Sequence, residues 1–201
     1  MPDGALVSVL ERSRRLGFLG PGPVEDHVRH AQGFLDALEG VTGRVVDLGS
    51  GGGVPGLVLV VERPELSVVL LDAMAKRCAF LREAVEALGA DERVEVVEGR
   101  AEEIGRGEMR RVVDAVIARS FGPPAATAEC AAPLLRAGGL LVVSEPPEAL
   151  DRWPEDGLAM LGMAPRARPD DSHAVQIIEQ VDECPDRYPR RIGVPAKRPL
   201  F

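Results

Sequence analysis

An aspartate followed by closely spaced glycines gives this sequence its clearest candidate for a ligand-binding loop. The stretch is VVDLGSGGGVPG, residues 45–56. Glycines let a chain turn sharply after a strand and bring bare backbone against a ligand, and a helix that begins after them favours a negative ligand group. Gly51-x-Gly53-x-x-Gly56 fits a dinucleotide loop. Asp47-x-Gly49-x-Gly51, which overlaps it, fits a loop for S-adenosylmethionine (SAM).

The charge of Asp47 favours SAM over a dinucleotide. A pyrophosphate lying on the loop carries two negative charges, which a carboxylate just ahead of the glycines would repel. SAM instead presents an ammonium and a sulfonium, so Asp47 can hold the ammonium directly or through water. The competing interpretation is a structural turn, in which Asp47 only caps the end of a strand.

Two further segments are predicted to contact the nucleoside part of such a ligand. Asp72 ends the apolar run SVVLLDA, where an acid accepts hydrogen bonds from ribose hydroxyls; it could instead cap the helix that begins near Ala75. The segment EGRAEEI, 98–104, follows the next strand. We expect Ala101 and Glu102 to offer a backbone N–H and a polar side chain to adenine, against the alternative of a solvated surface loop.

The elements that must position these residues alternate between short apolar strands and helices. Helices are predicted at 5–17 and 24–39, strands at 44–48, 67–71, 93–99, 112–118 and 139–144, and further helices at 54–63, 75–89 and in PPAATAECAAPLLRAGG. APRAR and AVQIIEQV flank PDDSH and predict a terminal antiparallel hairpin. This order indicates an α/β fold with a doubly wound, mostly parallel sheet, like the Rossmann-like class I SAM-dependent methyltransferases.

Composition limits the possible classes of protein. The 201 residues are expected to form one domain, with a helical appendage at 1–40, a SAM-binding core at 41–186 and an irregular basic tail at 187–201. No signal peptide or apolar run of about 20 residues is apparent, so we expect a cytoplasmic protein, and we expect a monomer. The three scattered cysteines suggest neither a zinc site nor a disulfide framework.

The charge of the chain is distributed unevenly. The net charge of −8 argues against broad nonspecific binding of nucleic acid. The tail nevertheless contains five cations and no acid, which favours an anionic partner. These cations are Arg187, Arg190, Arg191, Lys197 and Arg198.

Several motifs resemble one family, the bacterial 16S ribosomal RNA guanine-N7 methyltransferases, also called glucose-inhibited division protein B. The resemblance runs from about residue 44 to the C-terminus. It is carried by DLGSGGGVPGL, LLDAMAKRCAFLREAVEALG, EGRAEEI, DAVIARSF, LLRAGGLLVV and the tail RYPRRIGVPAKRPL. VRHAQGFLDAL, with Arg29 and His30, is similar to a helix near the N-terminus of that family.

The resemblance implies SAM as the methyl donor and guanine N7 of the small ribosomal subunit as the acceptor. Guanine N7 has an in-plane lone pair and loses no proton on methylation, so the enzyme needs alignment of the reactants rather than a general base. Arg119 matches an active-site arginine of the family. We expect it at the end of the fourth strand, facing the crevice, in contact with the cofactor carboxylate or an RNA phosphate. The tail cations are implied to contact rRNA phosphates.

Three differences from the family pattern bear on the acceptor. The family's WN…NLT segment is missing, and its H-x-x-D-S pattern has Gly33 and Phe34 in place of the acid and hydroxyl. Where the family commonly has LKG after the fifth strand, this chain has Ser144-Glu145-Pro146. The sequence therefore leaves open a methyltransferase for a small molecule, or a SAM-sensing or RNA-binding module without catalysis. An NAD-dependent oxidoreductase is disfavoured by Asp47. His27 and His30 are interpreted as helix packing or solvent-exposed residues.

Overall fold

In the computed structural model, the described residues are 3–146, 152–166 and 175–201. A seven-stranded sheet has the order β3-β2-β1-β4-β5-β7-β6. The first five strands run parallel, and β7 pairs antiparallel with both β5 and β6. The strands are β1 (Arg44–Leu48), β2 (Ser67–Asp72), β3 (Val94–Glu98), β4 (Val113–Ala118), β5 (Leu135–Ser144), β6 (Met163–Pro165) and β7 (Val175–Gln180).

This arrangement confirms the predicted doubly wound sheet with a terminal antiparallel hairpin. The predicted turn PDDSH and its His173 lie outside the described residues. Strand β5 begins four residues earlier than predicted, because Leu135 pairs with Val113 before the register shifts between Val113 and Ala115. The other four predicted strands of the parallel sheet agree with the observed ones to within a residue at either end, whereas β6 ends at Pro165, inside the predicted segment APRAR.

Eight helices occur within the described ranges and cover both faces of the sheet. They are α1 (Gly4–Arg15), α2 (Val24–Ala37), α3 (Gly56–Glu62), α4 (Ala75–Ala87), α5 (Ala101–Ile104), α6 (Pro124–Ala131), α7 (Glu155–Ala159) and α8 (Val194–Lys197). Helices α1 to α4 pack on one face and α5 to α7 on the other. No helix within the described ranges is both long enough and apolar enough to cross a membrane.

Side chains along each strand point alternately to the two faces of the sheet, and both faces are buried. In β1, Val45 belongs to the core under α1 to α4, whereas Val46 and Leu48 belong to the core on the other face. Side chains of successive strand residues point to opposite faces, so a strand covered on both sides reads as a continuous apolar run. These apolar runs are the pattern from which the strands were predicted.

The first two helices form as their sequence periodicity predicts. In α1 the buried positions are Leu6, Val9, Leu10 and Ser13, a spacing that places them on one helix face. The Asp3 carboxylate caps this helix by accepting a hydrogen bond from the Ala5 backbone N–H at 2.7 Å.

In α2, Phe34 is buried in the core between the sheet and helices α1 to α4. The residue that replaces the family hydroxyl therefore fills the interior of this protein, and Gly33 beside it is buried as well.

The backbone of the tail is irregular, as expected, apart from the short helix α8, which lies against α6. The tail is nevertheless packed on the protein, since Tyr188 and Pro195 are buried. Arg106 donates to the Pro189 carbonyl, and Arg110 donates to the Tyr188 carbonyl at 2.9 Å. The prolines suggested irregular backbone, but the side chains that hold this segment come from a distant part of the sequence.

Candidate active site

The carboxyl ends of adjacent parallel strands bring several predicted residues to one edge of the sheet. Asp47 lies in β1, Asp72 ends β2, and Arg119 follows β4. Because β2, β1 and β4 are neighbours, the three side chains start from the same edge. Ligands of open α/β sheets bind in the crevice outside this edge.

The glycine-rich loop leaves β1 in a backbone conformation that suits glycine. Gly49, Gly51 and Gly53 have φ values of +77°, +54° and +95°. A Cβ atom on Gly56 would lie 2.3 Å from the Asp47 Oδ2. A Cβ atom on Gly51 would instead point into the space before the Arg77 guanidinium, 3.9 Å from its Nη1. The loop therefore presents bare backbone to an open space, which fits a ligand such as SAM.

The N-terminal segment packs directly against this loop. The Ser13 hydroxyl donates to the Gly52 carbonyl at 2.8 Å, and Ser13 is fully buried. A Cβ atom on Gly52 would lie only 2.6 Å from the Phe18 carbonyl oxygen. Helix α1 and the turn after it thus form part of the wall around the loop.

Asp47 lies behind the loop. Its side chain is buried, and its Oδ2 accepts a hydrogen bond from the Gly56 N–H, at the start of α3, at 3.1 Å. Burial raises the pKa of this carboxyl to about 7, against which the nearby Arg119 charge acts. The carboxylate thus caps the helix that follows the loop, and its charge is only half developed near neutral pH.

Asp72 fixes the other side of the loop. Its Oδ2 accepts from the Gly51 N–H at 2.9 Å, and its Oδ1 accepts from the Met74 N–H at 2.8 Å. The Arg77 Nη1 lies 3.7 Å from the same Oδ2. Each carboxylate oxygen has a second lone pair, so these contacts leave Asp72 able to accept from a further donor.

Ala101 and Glu102 begin the short helix α5 rather than a loop. Ala101 is buried, and the Glu102 Oε1 accepts from the Gly193 backbone N–H of the tail at 2.9 Å. Glu102 therefore ties the tail to the core. The Gly99 N–H donates to the Asp72 carbonyl, so this segment still follows the edge of the sheet beside Asp72.

Arg119 extends from β4 into the crevice, as predicted. Its Nη1 lies 3.4 Å from the Nδ1 of His27 on α2, and the His27 Nε2 lies 3.2 Å from the Gly20 carbonyl. Burial lowers the pKa of the guanidinium, and the Asp47 charge opposes that shift. The interpretation of His27 as a packing or exposed residue is therefore incomplete, since its ring links the N-terminal helices to Arg119.

A cavity of about 790 Å³ opens in front of the loop and Arg119. Its described lining comes from the N-terminal segment, the glycine loop, the segment after β4 and the end of β5. Asp47, Asp72, Ala101 and Glu102 are not among the described residues that line it. The lining residues are Phe18, Gly20, His27, His30, Gly49–Gly52, Val54, Arg77, Ala118–Gly122, Pro124, Thr127, Val143–Pro146, Arg152 and Trp153.

The end of β5 adds an acid and an arginine to this cavity. Glu145 accepts from the Trp153 Nε1 at 2.9 Å through one carboxylate oxygen and from the Arg152 Nη1 at 3.0 Å through the other. The side chain of Glu145 is 2% exposed and that of Arg152 is 38% exposed. The acid that stands in place of the family lysine is therefore turned inward, and an arginine lies in front of it.

Arg190 corrects the expectation that the whole tail offers free cations. Its Nε and Nη2 donate to both oxygens of the Glu129 carboxylate at 2.6–3.0 Å, and its backbone N–H donates to the same group. Glu129 is fully buried in α6, and its hydrogen bonds raise the pKa of the Arg190 guanidinium. Arg187 lies over the Tyr188 ring, and Arg191, Lys197 and Arg198 are exposed.

Comparison with known proteins identifies the family. A family profile described as GidB, rRNA small subunit methyltransferase G, matches residues 24–156. A Syntrophomonas wolfei protein called Ribosomal RNA small subunit methyltransferase G is 33% identical over 90% of this chain and 87% of its own length. The chain belongs to this family. A Rubrobacter xylanophilus relative of the same name is 40% identical over 79% of this chain, which spans 65% of that protein.

Comparison with solved structures identifies the fold of this chain. A methyltransferase from Geobacter sulfurreducens matches with a TM-score of 0.63 at 17% identity over 89% of this chain and 90% of its own. A cofactor-bound protein from MTB matches with a TM-score of 0.62 at 20% identity, over 90% and 91% of the two chains. The fold is that of the class I SAM-dependent methyltransferases.

Several residues that line the cavity were not predicted from the sequence. His27 and Arg152 come from elements that only tertiary packing brings to the crevice, and nothing in their own spacing shows this. Phe121 does carry a signal, because it directly follows Arg119 and Ser120, at the carboxyl end of β4. Its ring covers Gly49, where an added Cβ atom would lie 2.7 Å from Cδ2. Ser120 has a positive φ of 56°, a conformation that non-glycine residues seldom adopt.

Proposed function

We propose that this chain is a SAM-dependent methyltransferase that methylates guanine N7 of 16S rRNA in the small ribosomal subunit. The observation that carries the proposal is a glycine-rich loop and an arginine at the same open edge of the sheet, in a chain of this family. The fold supports SAM as the cofactor, and the family supports ribosomal RNA as the acceptor.

The contacts of the loop suggest separate roles for the glycines and for Asp47 in holding the cofactor. Bare backbone at Gly49, Gly51 and Gly53 allows close approach of the cofactor to the loop, while the first amide of the following helix, at Gly56, is already bound by Asp47. Asp47 acts through its charge from behind the loop, attracting the ammonium group.

The nucleoside half of the cofactor would lie farther along the same edge. Asp72, already fixed by two backbone N–H groups, has lone pairs left for ribose hydroxyls. Ala101 and Glu102 would lie near adenine. Because Glu102 already accepts from Gly193, the backbone of this segment is the better candidate for that contact.

Arg119 is the residue that we propose as catalytic. SAM supplies an electrophilic methyl group: the S–CH₃ bond breaks as the N7–CH₃ bond forms, and the positive charge passes from sulfur to the purine. No proton is removed, so the protein mainly aligns the reactants. Arg119, steadied by His27, is placed to hold a carboxylate or phosphate beside the reacting atoms, and the Phe121 ring narrows the approach over Gly49.

The remaining proposals concern partners. The small ribosomal subunit is a phosphate-rich partner that the exposed tail cations Arg187, Arg191, Lys197 and Arg198 can approach. Arg190 is committed to Glu129 and contributes by holding the tail in place. Action on ribosomal subunits implies a cytoplasmic protein, and because one chain supplies the loop, Arg119 and the cavity, we expect a monomer.

The test is methyl transfer from labelled SAM to small subunits that lack the N7 mark, followed by nucleoside analysis. We expect labelled 7-methylguanosine from the natural chain. Arg119→Ala should lower kcat/KM by about 30-fold, equivalent to roughly 2 kcal/mol for one charge-assisted contact. If Arg119 holds the cofactor carboxylate, calorimetry should show weaker SAM binding; if it holds phosphate, KM for subunits should rise instead. A natural chain that binds SAM yet labels no guanosine would overturn the proposal.

A further inference from the structure

The end of β5 provides a cation by a different route from the family pattern. The resembling family has LKG at this point, whereas this chain has Ser144-Glu145-Pro146. A carboxylate facing the cavity would repel an RNA phosphate. In the structure Glu145 and Arg152 both line the cavity, but the Glu145 side chain is 2% exposed and its charge is paired with the more exposed Arg152 guanidinium.

Glu145 links this arginine to the Trp153 indole through two hydrogen bonds, and this linkage fixes the orientation of the guanidinium. Glu145 binds the Trp153 indole N–H through one oxygen and the Arg152 Nη1 through the other. The indole is itself buried, so the carboxylate has little freedom to rotate. Because a guanidinium carries five N–H donors in a rigid plane, one contact at Nη1 leaves donors directed away from Glu145.

We propose that Arg152 binds a backbone phosphate of the acceptor RNA next to the nucleotide that enters the cavity, with Glu145 as the positioning residue behind it. This inference rests on the proposed function. The exposed fraction of Arg152, 38% against 2% for Glu145, means that an approaching phosphate meets the cation first. The acid holds the guanidinium in place, which reduces the conformational entropy lost on binding.

Arg136 offers a matched control at the start of β5, the opposite end of the strand from the cavity. It pairs with Asp114 at 2.9 Å, and its side chain is 52% exposed. Arg136→Ala removes the same charge and also breaks an arginine–carboxylate pair, although Asp114 is 20% exposed where Glu145 is 2% exposed. It should alter neither RNA binding nor methyl transfer.

The experiment measures binding of small ribosomal subunits and of SAM by the natural chain, Arg152→Ala and Arg136→Ala over a series of salt concentrations. We expect Arg152→Ala to bind subunits about tenfold more weakly at low salt, the effect of one charge-assisted contact. The slope of log affinity against log salt should fall by about one. SAM affinity should not change.

Two more variants separate a phosphate contact from a structural role. Arg152→Ala removes a cation from beside a buried carboxylate and can destabilise the chain, so Glu145→Gln/Arg152→Gln removes both charges and keeps hydrogen-bonding groups. This double variant should keep SAM binding and lose subunit affinity to the same extent. Arg152→Lys should recover the salt slope but only part of the affinity, because an ammonium lacks the planar fork.

The outcomes distinguish this inference from the proposed function. If the natural chain methylates subunits and Arg152→Ala binds them as Arg136→Ala does, the role of Arg152 is overturned while the function stands. If the natural chain binds SAM and subunits without forming 7-methylguanosine, the function fails, and the salt slopes still decide the phosphate contact. If the natural chain does not bind subunits at all, both are overturned.

Discussion

The cavity wall and the C-terminal tail both pair an arginine with a buried acid, but they use the pair in opposite ways. On the wall, Arg152 donates one hydrogen bond to Glu145, and its side chain is 38% exposed. In the tail, Arg190 donates to both oxygens of Glu129 and also to the Arg198 carbonyl at 2.7 Å. The first arginine is positioned by its acid, whereas the second donates through both Nε and Nη2 to groups of the protein itself.

The difference shows that the number of cations in a segment is a poor measure of the charge that it offers to a partner. The tail has the densest basic sequence of the chain, yet one of its arginines, Arg190, is paired with a fully buried acid. The cavity has an acid in its sequence motif and still presents a cation. The charge that a segment offers to a partner depends on how many donors of each guanidinium are already bound within the protein. The following predictions test this contrast.

The largest effect is expected from Arg190→Ala, which leaves the fully buried Glu129 without its partner. Removing one member of a buried ion pair costs about 3 kcal/mol or more. For a chain of this length, that loss lowers the melting temperature by roughly 6 to 12 °C. Thermal unfolding measures it directly.

Arg191→Ala is the matched control for Arg190→Ala, because the two arginines are adjacent and Arg191 is exposed. We expect it to change the free energy of unfolding by less than about 0.5 kcal/mol. If the two variants had equal melting temperatures, Arg190 would not be committed to Glu129. The tail arginine would then be as available to a partner as Arg152 on the cavity wall.

An intermediate effect is expected from the acid behind the glycine loop. Burial raises the Asp47 pKa to about 7, so the carboxyl gains its charge across neutral pH. If that charge attracts the SAM ammonium, SAM should bind about tenfold more tightly at about pH 8 than at about pH 6. Calorimetry at several pH values measures the trend, and Asp47→Asn should abolish it. A natural chain with pH-independent SAM binding would leave Asp47 only its role as a helix cap.

Ionisation of Asp47 should strengthen SAM binding but lower the stability of the ligand-free protein. The measurement of stability is therefore a control for the measurement of binding. A carboxyl whose pKa is raised on folding holds its proton more tightly in the native state. The stability of the natural chain should therefore fall, relative to Asp47→Asn, as the pH rises from about 4 through about 7. Denaturant unfolding at these pH values would detect the divergence without any ligand.

The smallest effect is expected from the exposed tail cations. Arg191→Ala/Lys197→Ala should weaken subunit binding a few-fold at low salt, since each lost phosphate contact reduces the salt slope by about one. SAM affinity and the melting temperature should not change. A loss of stability similar to that of Arg190→Ala would show that these side chains also serve the fold.

Much of the fold was predictable from local patterns. β1 ends at Leu48 as expected, because its apolar run meets glycines that leave the strand. Helix α4 stops at Ala87, and Gly89 beyond it has a φ of +62°, the conformation expected of a glycine after a helix. The predicted positions of Asp47, Asp72 and Arg119 at one edge also followed, since parallel strands share a direction.

What the sequence did not reveal depends on contacts between distant segments. Arg190 meets Glu129 across 61 residues, and Glu102 meets Gly193 across 91. Helices α5, α7 and α8 have only four or five residues each and lack the periodicity that predicts longer helices. The burial of Glu145 likewise depends on Trp153 folding over it. None of these contacts has a signature in local spacing.

The bond between Ser13 and the Gly52 carbonyl has a consequence for local unfolding. Helix α1 cannot leave the body of the protein without losing this bond, nor can the loop move far without disturbing the Phe18 backbone against it. A ligand that stabilises the loop must therefore also slow the opening of α1. Amide hydrogen exchange in residues 4–15 would then report whether the loop is filled, although Gly52 lies 39 residues after Ser13 in the chain.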